Sequence, residues 1–122
     1  MYEDLNSAGS IFGGKLVSWI DEGSAIYASC QMNARRIVTK KISELIFAHP
    51  ARLGDMLEIW CKVAKKGKTS LTVCVLVTRR SFADDPKSDQ PATPTIAKIC
   101  SSELVFVAVD EHGRPKIWNP EA

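Results

Sequence analysis

The spacing of apolar residues changes once along the chain, and the change separates one helix from a set of strands. Between Gly13 and Met32 there is no proline, and a helical wheel at ~100° per residue gathers Leu16, Val17, Ile20 and Tyr27, with Trp19 and Ile26 widening that face. Lys15, Ser18, Glu22 and Ser29 make only a narrow polar strip. A helix apolar over more than half its girth is predicted to be wrapped by other structure, at the centre of the fold. From Arg36 the period drops from 3.6 to 2. Arg36-Ile37-Val38-Thr39 through Leu45-Ile46-Phe47 reads as one long, bulged strand that stops at His49-Pro50. Leu57, Ile59, Cys61 and Val63 alternate with Glu58, Trp60 and Lys62, so this strand has one buried and one wet face. Lys65-Lys66-Gly67-Lys68 turns the chain, and Leu71, Val73, Val75 and Val77 repeat the inward pattern, which predicts an antiparallel hairpin. A Pro-, Asp- and Ser-rich stretch, Phe82 to Pro91, reads as a surface loop before a last strand from Ile96 to Val109. The expected plan is α+β: four long strands of one antiparallel sheet curled around one helix.

Composition limits this plan to one domain covering residues 1–122, because a single core typically organises ~100–200 residues. Hydrophobic residues make up 45% and charged residues 25% of the chain, enough for a conventional core without disulfide or metal support. Cys30, Cys61, Cys74 and Cys100 are scattered, form no C-x-x-C pair and sit in apolar or periodic segments, as buried free thiols in a reducing cytoplasm do. Sixteen Lys and Arg against fourteen Asp and Glu leave a net charge of +2, which argues against a nucleic-acid partner. No apolar run reaches the ~18 residues of a membrane span, and Met1 to Leu5 lacks a basic region followed by an apolar one, so a cytoplasmic protein with no membrane partner is expected.

Several residues are placed to do chemistry. Asp21 falls at the border of the helix's apolar arc, where a carboxylate of poor helix propensity calls for a partner or a task. A salt-bridging surface Asp and a general base both satisfy that spacing. Gly13-Gly14 opens the same helix about two turns earlier. First-turn N–H groups lack intrahelical acceptors and carry the positive end of the helix dipole, which suits a carbonyl oxygen becoming an oxyanion. Asn6, in the loop before it, is either a turn former or an amide that positions water. Lys65 to Lys68, followed by Thr69 and Ser70, supplies cations and hydroxyls suited to phosphates or simply to a solvated turn. His49 and His112 both sit in turns without a neighbouring nucleophile, and the chain has no Gly-x-Ser-x-Gly elbow and no Walker loop.

The run Asp4 to Gly14 followed by Trp19-Ile20-Asp21-Glu22-Gly23 resembles the opening motif of hotdog-fold acyl-CoA thioesterases, in the YciA-type and cytosolic long-chain acyl-CoA hydrolase branch. Ile37-Val38-Thr39, Phe47 with Pro50, Leu53-Gly54-Asp55, Lys66 to Ser70 and Phe106 to Asp110 extend the likeness in order over nearly the whole chain. The resemblance implies a hotdog fold, an antiparallel sheet wrapped around the long helix, and hydrolysis of acyl-CoA to free fatty acid and CoA at sites built between subunits. It implies Asp21 as catalytic acid residue, Asn6 working with it from a neighbouring subunit or domain, and Gly13 and Gly14 at the carbonyl. Thr39, Lys40 and Lys41, with Gly67, Lys68, Thr69 and Ser70, match coenzyme A contacts. No cofactor or metal is implied, since coenzyme A belongs to the substrate. A homodimer is the minimal unit, within a tetramer or a hexamer built as a trimer of dimers. Members of the branch carry a further strand ahead of the motif where this chain has only Met1 to Glu3, which implies a sheet one strand short or a piece of a longer chain. Two other readings share the fold. A hotdog dehydratase requires a placed histidine, and a non-catalytic acyl-CoA-binding module does not require Asp21 beside Gly13-Gly14.

Overall fold

The computed structural model describes residues 13–49, 56–82 and 94–122. Asn6 and the rest of the opening motif before Gly13, the Leu53-Gly54-Asp55 match and most of the Phe82 to Pro91 loop therefore lie outside the described residues. The helix, α1, spans Gly13–Met32 as the apolar periodicity predicts. Five strands follow: β1 Ile37–Ile42, β2 Ile46–Phe47, β3 Met56–Lys66, β4 Ser70–Phe82 and β5 Pro94–Ala108. All pairings are antiparallel, in the order β1-β5-β4-β3, with β2 also on β5. This is the expected α+β hotdog plan, one sheet bent around one helix.

The helix is buried along a narrower line than its wheel suggests. Leu16, Ile20, Ser24, Ala28 and Met32 are buried, Val17, Trp19 and Tyr27 are half-buried, and Ile26 is 63% exposed. Each step of four residues rotates the contact point by about 40°, so the line turns about 160° around the helix from Leu16 to Met32. A twisted sheet follows such a line as it coils. A wheel summed over twenty residues merges this moving line into one broad arc, which is why it enlisted Ile26. Ser24 lies in the line without an orphaned hydroxyl because its Oγ donates to the carbonyl of Ile20.

Against that line the sheet presents Leu71, Val73, Val75 and Val77 of β4 and Cys100, Leu104, Phe106 and Ala108 of β5, all buried. The inward alternation read from Leu71 to Val77 holds at every position. In β3, Leu57, Cys61 and Val63 are half-buried against the same core, while Ile59 reaches the flank of α1 beside Gly23 and stays 37% exposed. The wet face carries Trp60, whose Nε1 donates to Thr78 Oγ1, and Glu58, paired with Arg80 at 3.1 Å.

Two sequence expectations are corrected. The long strand from Arg36 to Phe47 is two strands, because the backbone leaves the ladder after Ile42 while Leu45 turns to pack on the core and Ser102 Oγ donates to the carbonyl of Ser43. The sheet therefore has five strands among the described residues, not four. β5 ends at Ala108, and Val109 instead bridges Pro115. The cysteines are free, but only Cys100 is buried; Cys61 and Cys74 are half-exposed and Cys30 is exposed. Shifts of register at Thr39/Lys41, Val63/Lys65 and Val77/Thr78 add local twist to three of the pairings. No helix among the described residues is long and apolar enough to cross a membrane.

Two substitutions test this packing. Phe106 is the largest fully buried side chain. Phe106→Ala is expected to destabilise by about 3–5 kcal/mol in denaturant unfolding, through lost transfer energy and the cavity left behind. Gly67→Ala is expected to lower the melting temperature, since its Cβ would overlap Ser70 Oγ in a turn closed by Gly67 N–H to Ser70 O at 2.9 Å. Unchanged unfolding in either variant would refute the corresponding contact.

Candidate active site

Asp21 sits midway along α1, half-buried, on the flank that faces β1. Thr39 of β1 donates its hydroxyl to Asp21 Oδ1 at 2.8 Å. The bond fixes one carboxylate oxygen and leaves Oδ2 with lone pairs for a further donor. Its geometry depends on the bulge that follows. The register slips between Thr39 and Lys41, leaving Lys40 as the extra residue, exposed beside its neighbour Lys41. The sequence reading placed Thr39 among coenzyme A contacts and did not identify it as the partner that Asp21 required. Only the packing of helix on strand could show that, since the two residues are eighteen apart.

The N-terminal turn of α1 lies on the same side of the helix. Seven residues separate Gly14 from Asp21, nearly two full turns, so the two positions share a face about 10 Å apart along the axis. Helical side chains lean toward the N-terminus, so the carboxylate closes part of that gap. Gly14 is exposed, and a Cβ there would meet nothing within 4 Å. The first turn holds no acidic residue, so its dipole is not answered from within the turn. Gly13, the first helical residue, supplies the adjacent N–H group.

The Gly67 to Ser70 turn is placed elsewhere. Ser70 pairs with Val107 and Val107 with Val38, which sets the turn two strand spacings, about 10 Å, across the sheet from β1. Its carbonyls are occupied: Lys68 O accepts from Trp118 and Asn119 N–H, Thr69 O from Ala108 N–H, and Ser70 O from Trp118 Nε1 at 3.0 Å. The structure thus joins Asp21 to Thr39, sets Asp21 on the helix face of Gly14, and keeps Lys68, Thr69 and Ser70 two strand spacings from β1. Trp118 was not singled out from the sequence. An isolated aromatic before Asn119-Pro120 near the C-terminus carries no periodic signal.

Other groups are poorly placed for chemistry. His49 Nδ1 lies 2.9 Å from Lys98 O, and His112 lies against Glu111, both exposed and neither bonded to Asp21. Burial pushes the thiols of Cys61 and Cys100 above their ordinary range, and burial together with the Glu103 carboxylate does the same to Cys74, which keeps all three protonated near neutral pH. Among the described residues no three His, Cys, Asp or Glu side chains converge as metal ligands would.

Comparison with known proteins identifies the family and the fold. The sequence profile of the thioesterase superfamily matches residues 8–81. The acyl-CoA thioester hydrolase YciA of Salmonella typhimurium is 31% identical over 116 residues, which cover 95% of this chain and 82% of that protein. Its namesake from Escherichia coli is 32% identical over 117 residues, covering 95% and 83%. A hexameric hotdog fold thioesterase of Campylobacter jejuni superposes with a TM-score of 0.83 at 30% identity, over 99% of this chain and 86% of that one. A hexameric thioesterase from Yersinia pestis gives 0.84 at 29% identity, over 96% and 88%. With matching sequence, matching fold and an acid-bearing central helix opened by paired glycines, the chain belongs to the hotdog-fold thioesterase superfamily, among the relatives of YciA.

Proposed function

We propose that this protein hydrolyses acyl-CoA thioesters to a free acid and CoA, with Asp21 as the catalytic carboxylate. The observation that carries this reading is the bond from Thr39 Oγ1 to Asp21 Oδ1, on a helix whose first turn holds an exposed Gly14 and no acidic residue. The thioester carbonyl docks at the first turn, its oxygen toward Gly14 N–H and its carbon toward Asp21. Oδ2 takes a proton from a water as that water's oxygen bonds to the carbonyl carbon. The resulting oxyanion is held by the N–H groups of Gly13 and Gly14. Collapse breaks the carbon–sulfur bond and releases CoA thiolate, which takes up a proton to give the thiol. A thiolate is a good leaving group, since its conjugate thiol titrates near pH 8.5, so no histidine is required as a strong acid. Direct attack by Asp21 through a mixed anhydride obeys the same geometry and is the second route.

The site is completed by a second copy of the chain, with Asn6 of one subunit set against Asp21 of the other. Supporting this, β1 forms an edge of the sheet among the described residues and carries exposed Val38 and Ile42, with exposed Phe47 on β2. An apolar open edge is a surface that a partner covers. The dimer is the working unit, and the hexamers formed by the Campylobacter and Yersinia thioesterases give the larger assembly by analogy. Thr39, Lys40 and Lys41, with Gly67, Lys68, Thr69 and Ser70, contact the coenzyme A portion. No step needs a resident cofactor.

Thiol release measured over a series of acyl-CoA chain lengths tests the reading. Asp21→Asn is expected to reduce kcat by about 10²–10⁴-fold, the range of a lost general base. Near wild-type turnover would refute the role, and tight acyl-CoA binding without turnover by the wild type would mark a binding module instead. Single turnover in heavy-oxygen water separates the routes, because direct attack leaves the first label in Asp21. Thr39→Val is expected to lower kcat about tenfold with little change in KM, and Thr39→Ser to restore it. Equal activity in all three proteins would show that the hydroxyl does not position Asp21.

A further inference from the structure

The outer face of the sheet, turned away from α1, has an apolar centre. One row of cross-strand neighbours runs from Trp60 on β3 through Leu76 on β4 and Ser101 on β5 to Ile46 on β2. Trp60, Leu76 and Ile46 are all exposed, and the row lines a depression of about 660 Å³. Alternation puts this face opposite the buried Leu71, Val73, Val75 and Val77, so it contributes nothing to the core. A contiguous apolar centre on such a face is a mark of a contact with another protein.

The rows on either side say what that protein is. Toward the hairpin turn, Lys62, Cys74 and Glu103 are cross-strand neighbours, and Cys74 Sγ donates to Glu103 Oε1 at 3.4 Å. In the other direction the next row is Glu58, Thr78 and Lys98, and the one after it Met56, Arg80 and Ile96. β3 and β5 therefore carry opposite charges at two successive charged levels and an exposed apolar side chain each at a third. That pattern is complementary to itself. A second copy turned by half a rotation about a line along β4 lays its β5 over this β3 and its β3 over this β5. Lys62 then meets Glu103 of the second copy, Glu58 meets Lys98, and Met56 meets Ile96. Leu76 falls on Leu76, and the bulky Trp60 seats over the small Ser101. Arg80, on the midline, is already paired within its own chain with Glu58 at 3.1 Å. Sheets stack about 10 Å apart with their strands nearly aligned, a gap that a lysine and a glutamate reaching from opposite sides can close. A half-turn about a line across the strands instead sets Trp60 on Trp60 and Ser101 on Ser101, crowding one place and leaving a gap in the other.

We propose that this outer face is a second twofold contact between copies of the chain, centred on Leu76 and oriented by Lys62 and Glu103. It rests on the reading above that the β1 edge pairs two copies, and it names the surface that carries the assembly beyond a dimer. Two different twofold contacts on one protomer generate a closed assembly larger than a dimer. The two contacts do not compete, because one uses the edge of the sheet and the other its outer face.

Sedimentation of the full chain and its variants, with circular dichroism on the same samples, tests this. The wild type is expected to sediment as an assembly larger than a dimer, and Leu76→Glu as a folded dimer. Lys62→Glu is expected to weaken the larger assembly at least tenfold, and Lys62→Glu/Glu103→Lys to bring it back within threefold of the wild type. A folded Leu76→Glu that sediments with the wild type would overturn the contact, and so would a Lys62→Glu defect that Glu103→Lys leaves unrepaired. A wild type that stops at the dimer would overturn it and leave the β1-edge pairing intact, whereas a monomeric wild type would overturn both.

Discussion

Everything in this fold depends on one packing constraint: the helix must bury a line that turns around its axis, and only a curled sheet can follow that line. Leu16, Ile20, Ser24, Ala28 and Met32 meet β4 and β5 along it. Each fully buried aliphatic side chain on the two surfaces contributes about 1.5–3 kcal/mol, so no single polar contact rivals the interface as a source of stability. The same constraint sets the rotation of α1. Once Ile20 and Ser24 point at the sheet, Asp21 is turned to the β1 flank and Gly23 to the β3 flank, where they meet Thr39 and Ile59. The Asp21 carboxylate is thus oriented by hydrophobic packing, and Thr39 needs only to fix its last torsions.

Polar chemistry is spread along α1 in a way its dipole favours. The acid-free first turn offers N–H groups where negative charge would develop, and the cations of Arg35 and Arg36 gather just beyond the other end. The near-neutral total charge does not report this local arrangement, in which Asp110 Oδ1 is held by the tight turn through the N–H groups of His112 and Arg114. The open β1 edge, with exposed Val38 and Ile42 and with Phe47 on β2, lies on the flank that carries Asp21 and leaves unpaired backbone among the described residues.

The strands were legible wherever one face is buried and the other wet. Alternation from Leu71 to Val77 predicted the inward side chains of that part of β4, because a sheet with one packed face imposes a period of two on its sequence. The helix limits were legible for a similar reason. The interruption after Ile42 was not, since Ser43 to Leu45 leave the ladder through a turn of Leu45 into the core and a hydroxyl bond from Ser102, and neither leaves a local signature. The wheel also overstated the buried arc, enlisting exposed Ile26, because it assumes that a helix meets its neighbour along a straight line.

By itself, then, the sequence determined an α+β plan, a central helix bearing Asp21 two turns after Gly13-Gly14, and a hairpin of strict alternation. These follow from period and residue type, which are local properties of the chain. Tertiary structure alone decided that Thr39 is the partner of Asp21, that Lys68 to Ser70 lie two strands away beneath Trp118, and that Arg35, Arg36 and Lys116 converge. Each of these is a contact between segments distant in sequence. Their register is set by how a twisted sheet wraps a helix, and no local period encodes it.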